Sequence, residues 1–386
     1  MASPLTRPLL ASLAFGNFVV GMGAFVVIGV IEPVSEGLSI SPATAGTLLT
    51  IYALAYAPMS PVLVALTGRV ERRLVLMSGL SIFGVAALLG ALAPNFEALA
   101  ASRILAAAGA GIVTPVSAAT VAGLAPPEQR AKALAATFLG ITLAQVIGVP
   151  AGSWIAYTFG WRSALAVVAA LALPAVLLYG RLVPRGLSFQ ATRLKDLGAV
   201  LRNGPMMLAI LFTASFISAV FILYVAALLS LDLGFGRNVI TLTLFIFGLG
   251  AVIGNIGGGA LSDRLGPART LTIVTALLVV IVPFFSVLPV PAALLYGWTL
   301  VWSAIGWSFG AAQQVRRVEL CGAQAPVALA LHASSIFIGS ALGSGLGAII
   351  IAVAGYGALG IGAALMMAAA FLHLLASRRI SPGPAS

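Results

Sequence analysis

The chain is dominated by about twelve long apolar stretches, each followed by a short polar break. A helix of about 20 apolar residues crosses a bilayer core about 30 Å thick. The stretches cover residues 8–31, 43–66, 74–93, 99–124, 133–158, 163–180, 205–231, 239–261, 270–288, 292–312, 326–353 and 358–376. Because they are continuously apolar rather than alternating, they predict membrane-spanning helices and not the strands of a barrel.

The composition agrees with a chain folded in lipid. Hydrophobic residues make up 61% of the sequence and charged residues only 8%, which is too little polar surface to cover a water-soluble globule. We therefore predict an all-α membrane protein. The single cysteine, Cys321, cannot form an intrachain disulfide, and no Cys/His cluster suggests a metal site. We expect neither a cofactor nor a bound metal.

The positive charges predict the orientation, because Lys and Arg in short loops stay on the cytoplasmic side. With the N-terminus inside, seventeen of the twenty Lys and Arg fall in cytoplasmic segments, and only Arg103, Arg162 and Arg237 do not. Both termini are therefore predicted to be cytoplasmic, and the first span is expected to be a retained anchor rather than a signal peptide. The net charge of +11 is spread over seven segments. That spread argues against a nucleic-acid-binding groove.

Two short basic turns, 68–73 and 263–269, lie about half a chain apart. This spacing suggests one unit used twice. We predict a six-helix lobe at residues 1–180, a cytoplasmic linker at 181–204 and a second six-helix lobe at 205–386. In the linker, apolar residues at helical spacing leave open a short amphipathic helix on the inner membrane surface. These residues are Phe189, Leu194, Leu197 and Leu201.

The second basic turn reads Gly259-xxx-Asp263-Arg264-x-Gly266-xx-Arg269. It resembles the GxxxDRxGxxR cytoplasmic loop of the major facilitator superfamily, and the whole chain is similar to its twelve-span drug and sugar efflux branch, which includes arabinose efflux permease-like proteins. The resemblance implies a fold of two six-helix lobes. It also implies that Asp263, Arg264, Gly266 and Arg269 form a conformational latch, since a charge-assisted bond there must break when helices move.

The first basic turn departs from this pattern. Gly68 stands where the family has Asp, and Val64 stands where it has the opening Gly. The charged remainder of the latch is Arg69, Glu71, Arg72 and Arg73. The alternative is that these arginines only fix the topology.

Arg103 is followed by Gly109 and Gly111 and resembles the arginine motif of the family's fourth helix, with Ala106 and Ala107 in place of Gln and Gly. A cation at that depth is costly unless it is paired or faces water. We predict that Arg103 lies in the transport path, where it binds an anion or lowers the pKa of a partner acid. The alternative is that it snorkels to the outer interface.

The candidate acid for coupling to protons is Glu32, at the outer end of the first span, with Glu97 as a competitor. A carboxylate that exchanges Arg103 for a proton is the simplest device. His332 is a third proton-coupling candidate because histidine titrates near neutral pH; the alternative is a histidine held by a backbone carbonyl. No Asp or Glu lies in the middle of a predicted span, which leaves uniport open.

The fifth span carries Gly148, Pro150 and Gly152, a glycine-rich segment with a central proline. It resembles a degraded form of the family's antiporter motif. Because proline removes a backbone donor and kinks a helix, we predict a hinge at this point.

Uncharged polar and aromatic residues near mid-span are the candidate lining of a substrate cavity. They are Asn17, Phe25, Tyr52, Tyr56, Gln145, Tyr224, Asn255, Trp302, Gln313 and Gln314, together with Arg103. Amides and aromatic rings suit a neutral or amphipathic molecule better than a strongly ionic one.

These features together predict a monomeric transporter of the bacterial-type inner membrane. We expect it to export a small drug-like or sugar-like molecule by proton antiport, with two lobes rocking about a midplane site. The alternatives are facilitated or inward movement of a metabolite, and a membrane sensor or assembly protein that transports nothing. The chain shows no nucleophile or metal motif with the spacing of an intramembrane enzyme.

Overall fold

We analysed a computed structural model of the chain, which describes residues 5–187, 194–223, 237–287 and 290–380. Within these ranges the regular elements are all helical, and fifteen of them are α-helices. An all-helical membrane fold was predicted from the apolar stretches, and it is confirmed.

The first half of the chain contains seven long helices. They are α1 (Arg7–Leu38), α2 (Pro42–Leu66), α3 (Arg72–Ala91), α4 (Phe96–Leu124), α5 (Arg130–Leu143), α6 (Val149–Phe159) and α7 (Trp161–Leu182). Side-chain caps begin three of them, because the Thr6, Ser41 and Asn95 oxygens accept from the first free N–H groups of α1, α2 and α4.

The remaining helices follow a short one in the linker region. They are α8 (Leu194–Arg202), α9 (Gly204–Ile222), α10 (Arg237–Leu265), α11 (Pro267–Ile281), α12 (Ala292–Trp307), α13 (Phe309–Cys321), α14 (Ala325–Ala354) and α15 (Leu359–Ile380). Helix α8 occupies the segment for which the sequence left a short helix open, although Phe189 lies outside the described residues.

Eleven helical segments among the described residues are long and apolar enough to cross a membrane. The predicted span at 292–312 is instead divided into α12 and α13, which meet at Ser308. The Ser308 hydroxyl donates to the Ala304 carbonyl at 2.8 Å and contacts the Gly254 carbonyl at 3.1 Å. A serine that bonds back to the preceding turn bends a helix, which accounts for the break.

The fifth predicted span is also interrupted. A π-helical turn, Ala144–Gly148, separates α5 from α6, and Pro150 lies at the start of α6. Proline has no N–H, and its ring would clash with the carbonyl four residues earlier. The wider π turn relieves that clash, so the irregularity coincides with the hinge predicted from Gly148, Pro150 and Gly152.

The chain divides into two compact units. The first comprises Met1–Gly198 with Ala323–Ser334, and the second comprises Ala199–Gly322 with Ser335–Ser386. The core of the first unit includes Val26, Leu48 and Trp161. The boundaries predicted from the sequence, 1–180, 181–204 and 205–386, remain predictions.

The core of the second unit is built around aromatic rings. Phe216 stacks on Phe309 with ring centroids 4.0 Å apart, and Phe212 contacts Phe309 at 5.7 Å. Helix α10 approaches α12 and α13 closely where Gly254 and Gly258 face Ala304 and Ser308. Small residues allow helix backbones to pack at this distance.

Candidate functional site

Arg103, seven residues into α4, is the central charged group of the first unit. Its side chain is only 3% exposed. Nη1 donates to the Gly23 carbonyl at 2.8 Å and Nη2 to the Ala24 carbonyl at 3.0 Å, both in the middle of α1. The guanidinium also lies over the Tyr52 ring, 4.7 Å from its centroid. Arg103 thus joins α4 to α1 and α2.

This geometry corrects the expected partner of Arg103. Glu32 instead accepts a hydrogen bond from the Tyr157 hydroxyl at 2.6 Å. Glu32 is nine residues beyond Gly23 on the same helix, which is about 13 Å along its axis. Arg103 therefore contacts backbone carbonyls where an acid was expected. Its burial also contradicts snorkelling to the outer interface, and Glu97 is exposed.

Two tyrosines accompany Arg103 in the first unit. Tyr52 and Tyr56 are both buried, and their ring centroids are 6.0 Å apart. Because Tyr52 also contacts the Arg103 guanidinium, the structure brings three of the predicted cavity residues together. An aromatic face beside a cation forms an amphipathic surface.

The other predicted cavity residues of the first unit are more dispersed. Asn17 is fully buried; its Nδ2 donates to the Leu13 carbonyl at 3.0 Å, and its Oδ1 has no hydrogen-bond partner. Phe25 is half-buried in α1, and Gln145 is half-buried within the π turn. Asn17 Oδ1 is an acceptor that a substrate donor would satisfy.

In the second unit the predicted cavity residues fall into two groups. Gln313 and Gln314 are buried on α13, and Gln313 Nε2 donates to the Ala209 carbonyl at 2.8 Å. The Oε1 atoms of both glutamines have no hydrogen-bond partner. Trp302 packs in the apolar core, with its ring centroid 5.2 Å from that of Phe247 and 5.0 Å from that of Phe285.

The last two predicted cavity residues are Asn255 and Tyr224. Asn255 is buried in α10. Tyr224 lies outside the described residues, so its assignment to the cavity stays a prediction.

The histidines have different environments. His332 is buried, 5% exposed, in α14. His373, on α15, has Nε2 2.8 Å from the Leu208 carbonyl and Nδ1 2.9 Å from the Ser215 hydroxyl. A backbone carbonyl thus contacts His373, whereas the proton-coupling role of His332 stays a prediction.

The first basic turn is bonded to the end of α7. Glu71 Oε1 accepts from the Gly186 N–H at 2.9 Å, and the Arg72 N–H donates to the Leu187 carbonyl at 3.1 Å. Arg72 is fully buried, whereas Arg69 is exposed and Arg73 half-buried. Glu71 therefore holds the chain that follows α7.

The second basic turn connects α10 to α11. Gly266 has φ +80°, a left-handed conformation that favours glycine, and this lets the chain reverse between the two helices. Asp263 is half-buried in the last turn of α10, while Arg264 and Arg269 are exposed. The latch role of these four residues stays a prediction.

Two further arginines were not predicted as site residues. Arg316 and Arg317 are 5% and 0% exposed, and they contact Ser377 and Thr213. Burial, aided by the positive charge of Arg378, lowers the pKa of Arg316 to about 10. Burial also lowers the pKa of Arg317 well below its usual value. In the sequence, the closeness of these two arginines to Gln313 and Gln314 is the feature that could have indicated a site here.

No group of three or more His, Cys, Asp or Glu residues in the described part of the chain has the arrangement of a metal site. The candidate sites therefore consist of amides, hydroxyls, aromatic rings and buried arginines. Such groups can orient a small molecule.

The family model of the Major Facilitator Superfamily matches residues 13–316. The chain is 28% identical over 383 residues to the inner membrane transport protein YdhP of Escherichia coli (strain K12), covering 98% of this chain and 97% of that protein. It is 30% identical over 352 residues to the MFS-type transporter YtbD of Bacillus subtilis (strain 168), covering 89% and 88%.

Among solved structures, the major facilitator superfamily transporter FucP in its outward conformation has the same fold. It matches 96% of this chain and 99% of its own, with a TM-score of 0.76 at 15% identity. The relatives by sequence and by fold are transporters, and the match to the family model covers most of the chain. The chain therefore belongs to the major facilitator superfamily.

Proposed function

We propose that the protein is a secondary active transporter that exports a small neutral or amphipathic molecule, drug-like or sugar-like, in exchange for protons. Its place in the efflux branch of the family is supported by the GxxxDRxGxxR loop and by the irregular fifth span. The mechanism would be alternating access, with substrate bound near the midplane of the membrane.

The observation that carries the substrate class is the distribution of polar groups. The nine Asp and Glu residues all lie in loops or near the ends of predicted spans, and the mid-span polar groups are mainly amides and tyrosines. A carboxylate in the path would favour a cationic substrate by charge pairing. Amide oxygens of Asn17, Gln313 and Gln314 without hydrogen-bond partners instead favour a neutral molecule that offers donors.

The proposed coupling group is Glu32. As a carboxylate it accepts a hydrogen bond from the Tyr157 hydroxyl at 2.6 Å, which ties α1 to α6 seven residues after Pro150. A protonated carboxyl donates one bond and accepts less strongly, so binding a proton would weaken this tie. Protonation at Glu32 would thus bias the position of α6.

A facilitator that moves substrate down its own gradient is the second candidate. It is favoured by the absence of Asp and Glu from the middle of the predicted spans and by the bonding of Arg103 to backbone carbonyls. A proton-coupled transporter usually requires a titratable group on the path. Glu32 is the residue that separates the two candidates.

The proposed setting is a bacterial-type inner membrane with both termini in the cytoplasm and the chain acting as a monomer. The orientation is supported by seventeen cytoplasmic Lys and Arg residues under this topology. Two lobes in one chain are sufficient to form a pathway without a second copy.

The test is uptake of a panel of small drugs and sugars into inverted membrane vesicles that contain the protein or an empty vector. A proton gradient is imposed and then collapsed with an uncoupler. Export predicts accumulation that depends on both the protein and the gradient. Equilibration that the uncoupler does not change would favour the facilitator.

Glu32→Gln should abolish gradient-driven accumulation but permit equilibration, because the amide cannot exchange a proton. Glu36→Gln is the matched control, since Glu36 is exposed one turn further along the same helix. Gradient-driven accumulation that survives Glu32→Gln would remove Glu32 as the coupling acid.

A further inference from the structure

Arg316 and Arg317 form an unusual pair in the second unit, because two consecutive arginines of α13 are both buried. Arg316 Nη2 donates to the Ser377 hydroxyl at 2.6 Å, and Arg317 Nη2 donates to the Thr213 hydroxyl. The remaining donors are not used. Arg316 Nη1, Arg317 Nε and Arg317 Nη1 are buried with no hydrogen-bond partner.

Arg316 and Arg317 have fewer compensating contacts than Arg103 has. Arg103 has two carbonyl acceptors and an aromatic ring, whereas Arg317 has a single hydroxyl. Among the described residues, neither Arg316 nor Arg317 has a carboxylate partner. A buried charge that lacks a counter-ion is strongly disfavoured, and two adjacent ones also repel each other.

The surroundings add more positive charge. Arg378, on α15, raises the local positive potential at Arg316 and donates from Nη1 to the Thr272 hydroxyl at 2.8 Å. The chain as a whole has only nine acidic residues for twenty Lys and Arg, so intrachain pairing cannot neutralise them all. The negative end of the α13 dipole offsets only part of the charge.

The pair lies near the C-terminal end of α13. Helix α13 ends at Cys321, and the chain turns at Gly322, where φ is +46°. Arg316 lies five residues before this end, about 8 Å along the helix axis. In the predicted topology this end of α13 is at the cytoplasmic face.

We propose that Arg316 and Arg317 bind a phosphate-type oxyanion at the cytoplasmic end of α13. Guanidinium groups recognise phosphate through paired N–H donors, and the Ser377 hydroxyl, which accepts from Arg316, can donate its own proton to the anion. The phosphate belongs either to the headgroup of an anionic lipid or to a soluble phosphate of the cytoplasm. This binding site adjoins the proposed cavity residue Gln313, because the Thr213 hydroxyl that contacts Arg317 also accepts from Gln313 Nε2 at 3.3 Å. Its recognition of an oxyanion does not depend on which molecule is transported.

The test measures thermal unfolding of the full-length protein, purified in detergent and freed of lipid, during titration with inorganic phosphate. Parallel titrations use phosphatidylglycerol and phosphatidylcholine. We expect one anionic ligand to raise the unfolding temperature saturably. Arg316→Gln and Arg317→Gln should each raise the ligand concentration at half-saturation at least about tenfold, because a charge-assisted bond to the ligand is lost. Arg202→Gln, an exposed arginine in α8, is the matched control and should leave the titration unchanged.

The outcomes separate the two sources. Stabilisation by phosphatidylglycerol but not by phosphate or phosphatidylcholine indicates a lipid headgroup, and stabilisation by inorganic phosphate indicates a soluble anion. No stabilisation of the wild-type protein by either anion would overturn the proposal. An equal response in Arg202→Gln, Arg316→Gln and Arg317→Gln would overturn it as well. If a glutamine variant does not fold, Arg316→Lys replaces it in the titration. Native mass spectrometry of the wild-type protein is then added, and a spectrum without bound phosphate or lipid would refute the site.

Discussion

The guanidinium of Arg103 donates from Nη1 to the carbonyl oxygen of Gly23 at 2.8 Å, so α4 is bonded to the middle of α1. The neighbouring bond from Nη2 to Ala24 makes the contact a two-pronged one. An arginine held in this way positions helices, whether or not it also takes part in coupling. Its contribution to stability and its contribution to transport are therefore measurable separately.

Substitutions of Arg103 distinguish the contribution of its two hydrogen bonds from the contribution of its charge. Arg103→Lys keeps a buried cation but cannot span both carbonyls, so we expect a loss of about 1–3 kcal/mol in the free energy of unfolding. Arg103→Gln can donate to one carbonyl and removes the buried charge, so its loss should be smaller. Thermal unfolding in detergent measures the stability of both variants. Arg181→Lys, at an exposed arginine in the last turn of α7, is the control. A glutamine variant less stable than the lysine variant would contradict this account.

Two glycines on α10 give a matched test of helix packing. A Cβ at Gly254 would lie 2.9 Å from the Ala304 Cα, whereas a Cβ at Gly257 would meet nothing within 4 Å. We expect Gly254→Ala to lower the free energy of unfolding by about 1–3 kcal/mol through overpacking. Gly257→Ala should raise it by about 0.5–1 kcal/mol, because alanine favours helix over glycine. Equal unfolding temperatures for the two variants would refute the close approach of α10 and α12.

Much of the fold could be predicted because membrane helices are continuous apolar runs, a signal that local sequence carries by itself. The irregular fifth span could also be anticipated, since Pro150 alone forbids a regular helix there. The break at Ser308 could not. It depends on a hydroxyl that contacts the Gly254 carbonyl on another helix, and such a contact leaves no mark in the apolar pattern.

The candidate site was harder to predict for a similar reason. The partners expected for Arg103 were acidic side chains, but its partners are the backbone carbonyls of Gly23 and Ala24. Because every residue has a backbone carbonyl, the sequence does not indicate which ones accept these bonds. Arg316 and Arg317 were assigned to a cytoplasmic loop because the predicted span ended at residue 312. Helix α13 continues to Cys321 and buries both, through contacts with helices distant in sequence.

The latch prediction is tested at Asp263, in the last turn of α10. Asp263→Asn keeps the size of the side chain and removes its charge, so a charge-assisted bond that holds one conformation is weakened. We expect turnover to fall about tenfold, equivalent to about 1.4 kcal/mol, with substrate affinity little changed. Vesicle transport and equilibrium binding measure the two quantities. Glu128→Gln, at an exposed position just before α5, is the control, and wild-type turnover in Asp263→Asn would rule out the latch.

The single cysteine, Cys321, reports on the C-terminal end of α13. Burial raises the pKa of the Cys321 thiol to about 11, and the attraction of the neighbouring Arg317 cation, which favours the thiolate, only partly opposes this. The reactive thiolate is therefore scarce at pH 8. Its fraction should rise about tenfold per pH unit up to pH 10, whereas an ordinary thiol levels off above about pH 8.5.

Maleimide labelling of the folded protein should follow this rise without a plateau, while the protein unfolded in detergent and urea should show the ordinary profile. Because the chain has no other cysteine, the labelled fraction reports Cys321 alone. A plateau near pH 8.5 in the folded protein would mean that this end of α13 is open to water. In that case the burial that leaves Arg316 Nη1, Arg317 Nε and Arg317 Nη1 without acceptors would also be absent. The same labelling curve would then count against an anion bound by these two arginines.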